Sequence, residues 1–191
     1  MSDFFDFLPL ANQIEKPRIL EIGTRRVGLN PSTVRKDLFN DYKEYVGLDY
    51  QEGLDVDIVG DVHELSKVVG EESFDIILTC ATFEHIKYPF LAAHEILKAL
   101  KVNGLLALQA PQTFPLHGFP YDYCRFSTEA LKALVGTEMG FNVLNSGYDC
   151  PASIVSEDDP NCRLHEAYLS CWVYGRKVSK TPKEFIYEHD N

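Results

Sequence analysis

Two apolar segments, each ending in residues suited to ligand binding, constrain the fold of this chain most. Residues 18–23 read Arg-Ile-Leu-Glu-Ile-Gly, and residues 45–49 read Tyr-Val-Gly-Leu-Asp. Buried parallel strands bring such ends to one edge of an α/β sheet, where ligands bind. A glycine lets the backbone approach a ligand closely, and an aspartate there can accept hydrogen bonds from both hydroxyls of a ribose. Gly23 and Asp49 therefore predict a nucleoside site.

Length and charge set bounds on the protein. Its 191 residues, 45% of them hydrophobic, suffice for one domain with a single core. We expect a lead-in over residues 1–16, a folded domain over 17–175 and a polar tail over 176–191. The formal net charge of -11 argues against nonspecific nucleic-acid binding, because phosphate contacts need clustered lysine and arginine.

The cysteines and the N-terminus predict the compartment. The five cysteines are widely spaced, without a Cys-x-x-Cys pair or a zinc-type spacing, which is typical of reduced thiols. The first residues lack the basic segment of a secretory signal, and no apolar run approaches the roughly 20 residues of a membrane span. We expect a cytoplasmic protein that is neither secreted nor inserted in a membrane.

The rest of the chain alternates strand and helix patterns. Strands are predicted at residues 18–23, 44–49, 56–61, 74–80, 105–110, 141–148 and 167–173. Helices are predicted after cap residues 30–33, from Pro89 to a stop at 103–104, and over 127–135. The third strand is expected to be short, oddly connected or vestigial. Only about six residues connect it to the second strand, whereas a parallel crossover usually needs about 10 to 12 or more. The pattern favours an α/β fold: a mostly parallel sheet with helices on both faces and a C-terminal antiparallel hairpin.

Between the fifth strand and the third helix, residues 111–126 form a long loop with three prolines, which preclude a regular element. Long ordered loops that follow a strand end are usually functional.

Residues 18–174 resemble the class I methyltransferases that use S-adenosylmethionine, and among them the small type 11 group, which has a Rossmann-like fold. The resemblance rests on four places in the sequence. They are residues 20–23, residues 46–49, the segment 74–85 together with the later residues 95–97 and 103–104, and residues 117–126. The last of these reads His-Gly-Phe-Pro-Tyr-Asp-Tyr-Cys-Arg-Phe. The first loop departs from the family pattern. It reads Gly-Thr-Arg-Arg-Val-Gly over residues 23–28, where a Gly-x-Gly is expected.

The resemblance implies a set of residues that contact the cofactor. Glu21 and Gly23 would flank its amino-acid part, and Asp49 would hold the ribose. The adenine would lie near Asp61 and Val62, and the methionine end near Cys80 and Ala81. As an alternative, Glu21 and Asp49 are strand-end carboxylates that cap nearby amides.

The first loop argues against two other cofactor classes. It spaces two glycines as a P-loop does, but Leu29 and Asn30 stand where triphosphate and magnesium binding needs lysine and serine or threonine. It also lacks the Gly-x-Gly-x-x-Gly that binds a dinucleotide pyrophosphate. S-adenosylmethionine, which has no phosphate, fits both absences.

The chemistry needs an acceptor held in line with the methyl group, and a general base where the acceptor is a hydroxyl. His117, in the long loop, is the preferred base and His85 the second candidate. His117, Tyr121, Asp122 and Arg125 are the predicted substrate-pocket residues. In the alternative interpretation, His117, Asp122 and Arg125 tie the loop together, with Asp122 and Arg125 as a local ion pair, and have no catalytic role.

Two further groups of residues have open roles. Glu84 beside His85 could instead cap the following helix. The loop aromatics, some walling the acceptor and some packing beneath the loop, are Phe114, Phe119, Tyr121, Tyr123 and Phe126. His63, His94 and His165 have no spacing that indicates a metal, and no metal is expected.

The sequence thus predicts methyl transfer from S-adenosylmethionine to a hydroxyl or amine of a small molecule, which the resemblance extends to sugars and surface-glycan precursors. Nucleic acid is a poor acceptor for so acidic a chain. Because the first loop lacks family glycines, a non-catalytic or regulatory S-adenosylmethionine-binding protein of the same fold is the alternative. A nicotinamide oxidoreductase would need a dinucleotide site that the loop does not offer.

Overall fold

The computed structural model describes residues 3–26, 34–118 and 120–186. These residues form one seven-stranded sheet in the order β3-β2-β1-β4-β5-β7-β6. The strands are β1 (Arg18–Ile22), β2 (Glu44–Asp49), β3 (Ile58–Val59), β4 (Phe74–Cys80), β5 (Leu100–Pro111), β6 (Phe141–Ala152) and β7 (Ala167–Lys177).

Strands β1 to β5 run parallel, and β7 pairs antiparallel with both β5 and β6. In β1, Glu21 lies opposite Gly47 of β2 and Ile22 lies opposite Thr79 of β4. This register brings the carboxyl ends of β1, β2 and β4 to the same edge. The strand order reverses between β1 and β4, which is where open α/β sheets bind ligands.

Four α-helices accompany the sheet in the described part of the chain. They are α1 (Leu8–Ala11), α2 (Leu65–Val69), α3 (Pro89–Ala99) and α4 (Thr128–Leu134). Pro89 opens α3, and the Ser127 side chain accepts a hydrogen bond from Ala130 N at 3.1 Å to cap α4. Among the described helices, none is long and apolar enough to cross a membrane.

Both faces of the sheet are buried, as near-continuous apolar strands predict. Helices α2 to α4 pack on one face, where Ile77 and Leu106 belong to the core. On the other face, Ile76 packs with Phe4 and Phe7, which are fully buried. The N-terminal lead-in is therefore part of the core of the protein.

The predicted fold class is confirmed, including a third strand of only two residues, Ile58–Val59. Two element predictions differ from the structure. Helix α3 ends at Ala99 and β5 begins at Leu100, before the predicted stop at 103–104. The buried Lys177 ammonium donates to the carbonyls of Leu97 and Leu100 at 2.9 and 2.6 Å, so it satisfies backbone groups at this helix end.

The helix predicted after β1 is also different in the described residues. Its cap residues, 30–33, lie outside the described part. Between residue 34 and the start of β2, the structure has one 3-10 turn, Lys36–Leu38, and no α-helix. The Arg35 N–H, just before this turn, donates to the Glu21 carboxylate at 3.0 Å. This side-chain acceptor takes the place of a helical carbonyl.

The predicted polar tail overlaps the folded part of the chain. The boundary between residues 175 and 176 falls inside β7, which continues to Lys177. Thr181, further into the predicted tail, is buried. Residues 187–191 lie outside the described part.

Candidate active site

The ends of β1 and β4 approach each other closely. Gly23, directly after β1, has φ +84°, and a Cβ built on it would lie 2.1 Å from Thr82 Oγ1. The Thr82 hydroxyl lies 3.2 Å from the carbonyls of both Ile22 and Cys80, and so bonds to both strand ends. Only glycine fits at position 23, because its conformation and its space both exclude a side chain.

Asp49 ends β2 at the same edge. Its Oδ2 accepts a hydrogen bond from Arg25 N at 3.2 Å and its Oδ1 accepts one from Gln51 N at 3.1 Å. The Arg25 Nε lies 3.7 Å from Oδ1. A carboxylate has about four acceptor positions, so these amides leave it able to take further hydroxyl donors.

Asp61 and Val62 follow β3. The Asp61 carboxylate caps the 3-10 turn Val62–Glu64 by accepting from His63 N at 2.9 Å, and His63 Nδ1 lies 2.6 Å from the same oxygen. Partial burial raises the pKa of Asp61, but the His63 hydrogen bonds outweigh it and the net pKa is lowered. Val62 is buried, so it offers an apolar surface beside a charged one.

Cys80 and Ala81 lie where β4 ends. Burial raises the pKa of the Cys80 thiol to about 12, so this group is neutral near pH 7. Ala81 has φ +52°, an uncommon conformation for a non-glycine residue, and its N–H donates to Gln109 O at 3.0 Å. The turn directs the chain from β4 across the edge of the sheet.

These segments enclose a cavity of about 550 Å³. Six of the seven predicted cofactor residues line it: Gly23, Asp49, Asp61, Val62, Cys80 and Ala81. The volume lies within the usual range for small-molecule sites. Tyr121 and His85, two of the residues predicted for the acceptor, line the same cavity.

Glu21 is the predicted cofactor residue that does not line the cavity. It is buried and accepts from Arg35 through the backbone N–H at 3.0 Å and the guanidinium at 2.8 Å, and from the Tyr45 hydroxyl. Burial and the neighbouring Glu21 raise the pKa of Tyr45 far above its ordinary value. Arg35 itself lines the cavity. Sequence reasoning missed it, since nothing in the spacing links it to Glu21.

The loop between β5 and α4 is tied to the turn that follows β4. Tyr123 N and Cys124 N both donate to Glu84 O, at 2.7 and 3.2 Å, and His85 Nδ1 lies 2.6 Å from Tyr121 O. Phe126 N donates to Pro111 O at 3.0 Å, which closes the base of the loop. The loop is therefore held over one side of the cavity.

Inside this loop, Asp122 and Arg125 form a two-pronged ion pair, with Nη2 to Oδ2 at 2.7 Å. The hydrogen bonds from Arg125 and from His117 N hold the pKa of Asp122 far below its ordinary value. Arg125 also donates to the carbonyls of Phe114 and Pro115. Neither Asp122 nor Arg125 is among the residues that line the cavity, so their contacts fit the loop-tying alternative.

The loop aromatics divide between surface and core. Tyr121 and Tyr123 line the cavity with exposed rings. Phe126 is buried and contacts Phe83 edge-on, whereas Phe114 is exposed. Phe119 lies outside the described residues, as does Gly28 of the first loop.

Glu84 lies beneath the two histidines predicted as bases. Its Oε1 is 3.8 Å from His85 Nε2 and 3.9 Å from His117 Nε2. Burial raises the pKa of Glu84 to about 7, although His117 and Arg125 act to lower it. Helix α3 has Tyr88 at its N-cap and no side-chain cap bond there, so Glu84 does not cap that helix. His117 is near the cavity but not among its lining residues.

Comparison with protein families gives one match over the centre of the chain. The model of a methyltransferase domain, of type 11, matches residues 20–108. This stretch runs from β1 into β5 and contains every predicted cofactor residue. A search of the curated proteins gives no significant match.

Solved structures share the fold at low sequence identity. An S-adenosylmethionine-dependent methyltransferase from Archaeoglobus fulgidus is 17% identical with a TM-score of 0.61, over 90% of each chain. One from Mesorhizobium loti is 14% identical with a TM-score of 0.57, over 92% of this chain and 98% of its own. The 1,6-didemethyltoxoflavin-N1-methyltransferase of Burkholderia thailandensis, solved with 1,6-didemethyltoxoflavin and S-adenosylhomocysteine, is 14% identical with a TM-score of 0.57, over 92% and 77%.

Proposed function

We propose that this chain, whose residues 20–108 match the type 11 methyltransferase domain, transfers a methyl group from S-adenosylmethionine to a hydroxyl or amine of a small molecule. The observation that carries the proposal is the cavity at the carboxyl ends of β1, β2 and β4, lined by Gly23, Asp49 and Ala81. A sugar or surface-glycan precursor is the acceptor class that the family resemblance suggests.

The residues of the cavity fit the cofactor chemically. Asp49 accepts the ribose hydroxyls with the lone pairs that Arg25 N and Gln51 N leave available. Gly23 allows the ligand to approach the backbone, and Val62 packs against the adenine. Arg35, held by the buried Glu21 carboxylate, offers a guanidinium to the cofactor's own carboxylate.

When bound, S-adenosylmethionine supplies a methyl group on a positively charged sulfur, so the protein has to position the acceptor rather than generate a strong electrophile. Tyr121 and Tyr123 wall the acceptor side and restrict water there. His85 Nδ1 faces the Tyr121 carbonyl, which leaves Nε2 as the basic nitrogen. His85 and His117 are the proposed bases that accept a hydroxyl proton at Nε2.

A small acceptor in a reducing compartment agrees with the remaining properties of the chain. Its net charge of -11 disfavours a polyanionic nucleic-acid acceptor. All five cysteines are free thiols. Free thiols are typical of the cytoplasm, which is where we propose that the reaction takes place.

Calorimetry with S-adenosylhomocysteine tests the cofactor proposal. We expect saturable binding that weakens about tenfold in Asp49→Asn, because a charged acceptor becomes a neutral one. Asp75→Asn is the matched control: Asp75 also accepts a backbone amide, from Arg18 at 2.9 Å, but it lies near the start of β4 and does not line the cavity. Equal affinity in the wild type and Asp49→Asn would remove Asp49 from the site.

An acceptor panel scored by S-adenosylhomocysteine release tests turnover. Methylation of sugars, hydroxylated metabolites or amines supports the enzyme. No cofactor binding at all would refute the proposal, and tight binding without turnover across the panel would favour a regulatory S-adenosylmethionine-binding protein instead.

A further inference from the structure

Three potential metal ligands converge beside the cavity. One ligand atom each from Glu84, His85 and His117 lies within 4.8 Å of the other two. Two of these residues come from the turn after β4, and the third comes from the loop after β5. The backbone bonds from Tyr123 N and Cys124 N to Glu84 O fix the distance between the turn and the loop.

Both imidazoles direct Nε2 toward the carboxylate. His85 Nδ1 is 2.6 Å from Tyr121 O, and His117 Nδ1 is 3.1 Å from Pro115 O. A carbonyl oxygen only accepts hydrogen bonds, so each Nδ1 carries a proton, and in the neutral ring Nε2 presents a lone pair. Metal-bound histidines are held in this manner, with the other ring nitrogen donating to a carbonyl or carboxylate.

Glu84 is the buried member of the group. Its side chain is 1% exposed, and its Oε2 has no hydrogen-bond partner among the described residues. The titratable and charged groups around it are His85, His117 and the Asp122–Arg125 pair, in which the guanidinium binds Asp122. A buried carboxylate that faces two nitrogen lone pairs is unfavourable unless a proton or a metal ion lies between them.

We propose that Glu84, His85 and His117 bind a divalent transition-metal ion, of which Zn²⁺ is the representative, and that the ion takes an oxygen of the methyl acceptor. Two imidazoles and a carboxylate suit such an ion and leave coordination positions open. Tetrahedral ligands at about 2.1 Å from a metal lie about 3.4 Å apart. The observed separations of 3.8 and 3.9 Å therefore need to contract by about half an ångström.

This inference rests on the proposed function and narrows its acceptor to a hydroxyl compound. His85 lines the cavity, so an ion bound to it would lie beside the acceptor side. A divalent ion lowers the pKa of a hydroxyl bound to it. With both Nε2 atoms bound to the ion, the hydroxyl proton passes to solvent water rather than to His85 or His117. The oxygen lone pair then forms the bond to the methyl carbon, while the electron pair of the carbon–sulfur bond returns to sulfur.

Co²⁺, titrated into the chelator-treated full-length protein, reports on the site through its visible absorption. We expect one equivalent to bind with the spectrum of a nitrogen and oxygen site, and Zn²⁺ to displace it. Glu84→Gln and His117→Gln are expected to weaken binding at least tenfold. His165→Gln, an exposed histidine in the loop before β7, is the matched control and should bind as the wild type does.

S-adenosylhomocysteine affinity, measured on the same samples, separates the two proposals. Cofactor binding without saturable Co²⁺ or Zn²⁺ binding overturns the metal site and leaves the methyltransferase proposal standing. Metal binding without cofactor binding overturns the methyltransferase proposal and leaves the metal site standing. Equal Co²⁺ affinity in the wild type and His117→Gln also overturns the metal site. If Glu84→Gln does not fold, the His117→Gln result is used, because a side chain that is 25% exposed can be replaced with less effect on folding.

Discussion

Replacing Gly23 by alanine tests whether the close approach of β1 and β4 forms the cofactor site. The new Cβ would lie 2.1 Å from Thr82 Oγ1, 2.6 Å from its Cγ2 and 2.9 Å from its Cβ. The residue would also keep φ near +84°, which L side chains rarely adopt. Both effects act at the edge where the cavity begins, so stability and cofactor affinity should fall together.

The two contributions can be sized separately. A non-glycine residue in a sparsely populated backbone conformation costs about 1 to 3 kcal/mol. Forcing a methyl group into a packed site costs about another 1 to 3 kcal/mol. We therefore expect Gly23→Ala to lower the free energy of unfolding by about 2 to 6 kcal/mol, and S-adenosylhomocysteine to bind at least tenfold more weakly.

Gly70→Ala is the control for the backbone contribution. Gly70 has φ +88° at the end of α2, meets only Ser73 Oγ at 2.8 Å and does not line the cavity. Urea denaturation should show a loss of about 1 to 3 kcal/mol there, with unchanged cofactor affinity in calorimetry.

Thr82→Ala, placed in the Gly23→Ala background, should recover part of the lost stability, because it removes the two nearest atoms. If Gly23→Ala bound S-adenosylhomocysteine as tightly as the wild type, or if Thr82→Ala recovered nothing, the packing argument would be wrong.

Two further predictions concern the loop and the buried carboxylate. Burial raises the pKa of Glu84 to about 7 from an ordinary 4.5, so in chelating buffer the folded state binds the extra proton between these values. The free energy of unfolding should then fall by about 3 kcal/mol as the pH rises through that range, and Glu84→Gln should abolish the fall; identical urea-denaturation profiles for both proteins would contradict this. Asp122→Asn weakens the ion pair to Arg125 and should speed proteolysis within residues 112–125 severalfold while S-adenosylhomocysteine affinity stays unchanged. An unchanged cleavage rate would mean that the pair does not hold the loop.

The sheet could be predicted because each strand is marked by a local pattern of apolar residues. The run at residues 74–80 is mostly apolar, and it is the central strand of the seven-stranded sheet, buried on both faces. The methyltransferase resemblance seen in the sequence agrees with the family match over residues 20–108. The end of α3 was wrong because the carbonyls there are satisfied by Lys177, which lies about 80 residues away in sequence.

The proposed cofactor side of the cavity could likewise be predicted from the sequence. Gly23 and Ala81 directly follow strands and Asp49 ends one, so the strand pattern alone places them at one edge. Arg35 was missed because its position depends on a buried carboxylate, Glu21, across a loop whose residues 27–33 lie outside the described part. A strand-end carboxylate can thus serve a site by holding the residue that lines it.

The acceptor side could not be predicted in the same way, because it depends on pairing between two loops. His117 reaches Glu84 only because backbone amides of residues 123 and 124 bond to the Glu84 carbonyl, and carbonyls carry no sequence signal. The same carbonyl chemistry fixes the tautomers of both histidines, through Tyr121 O and Pro115 O. A pair of histidines read separately as candidate bases becomes, once these bonds are known, two directed lone pairs facing one buried carboxylate. A proton and a metal ion compete for that position, so chelation should separate the general-base role from the metal-binding role.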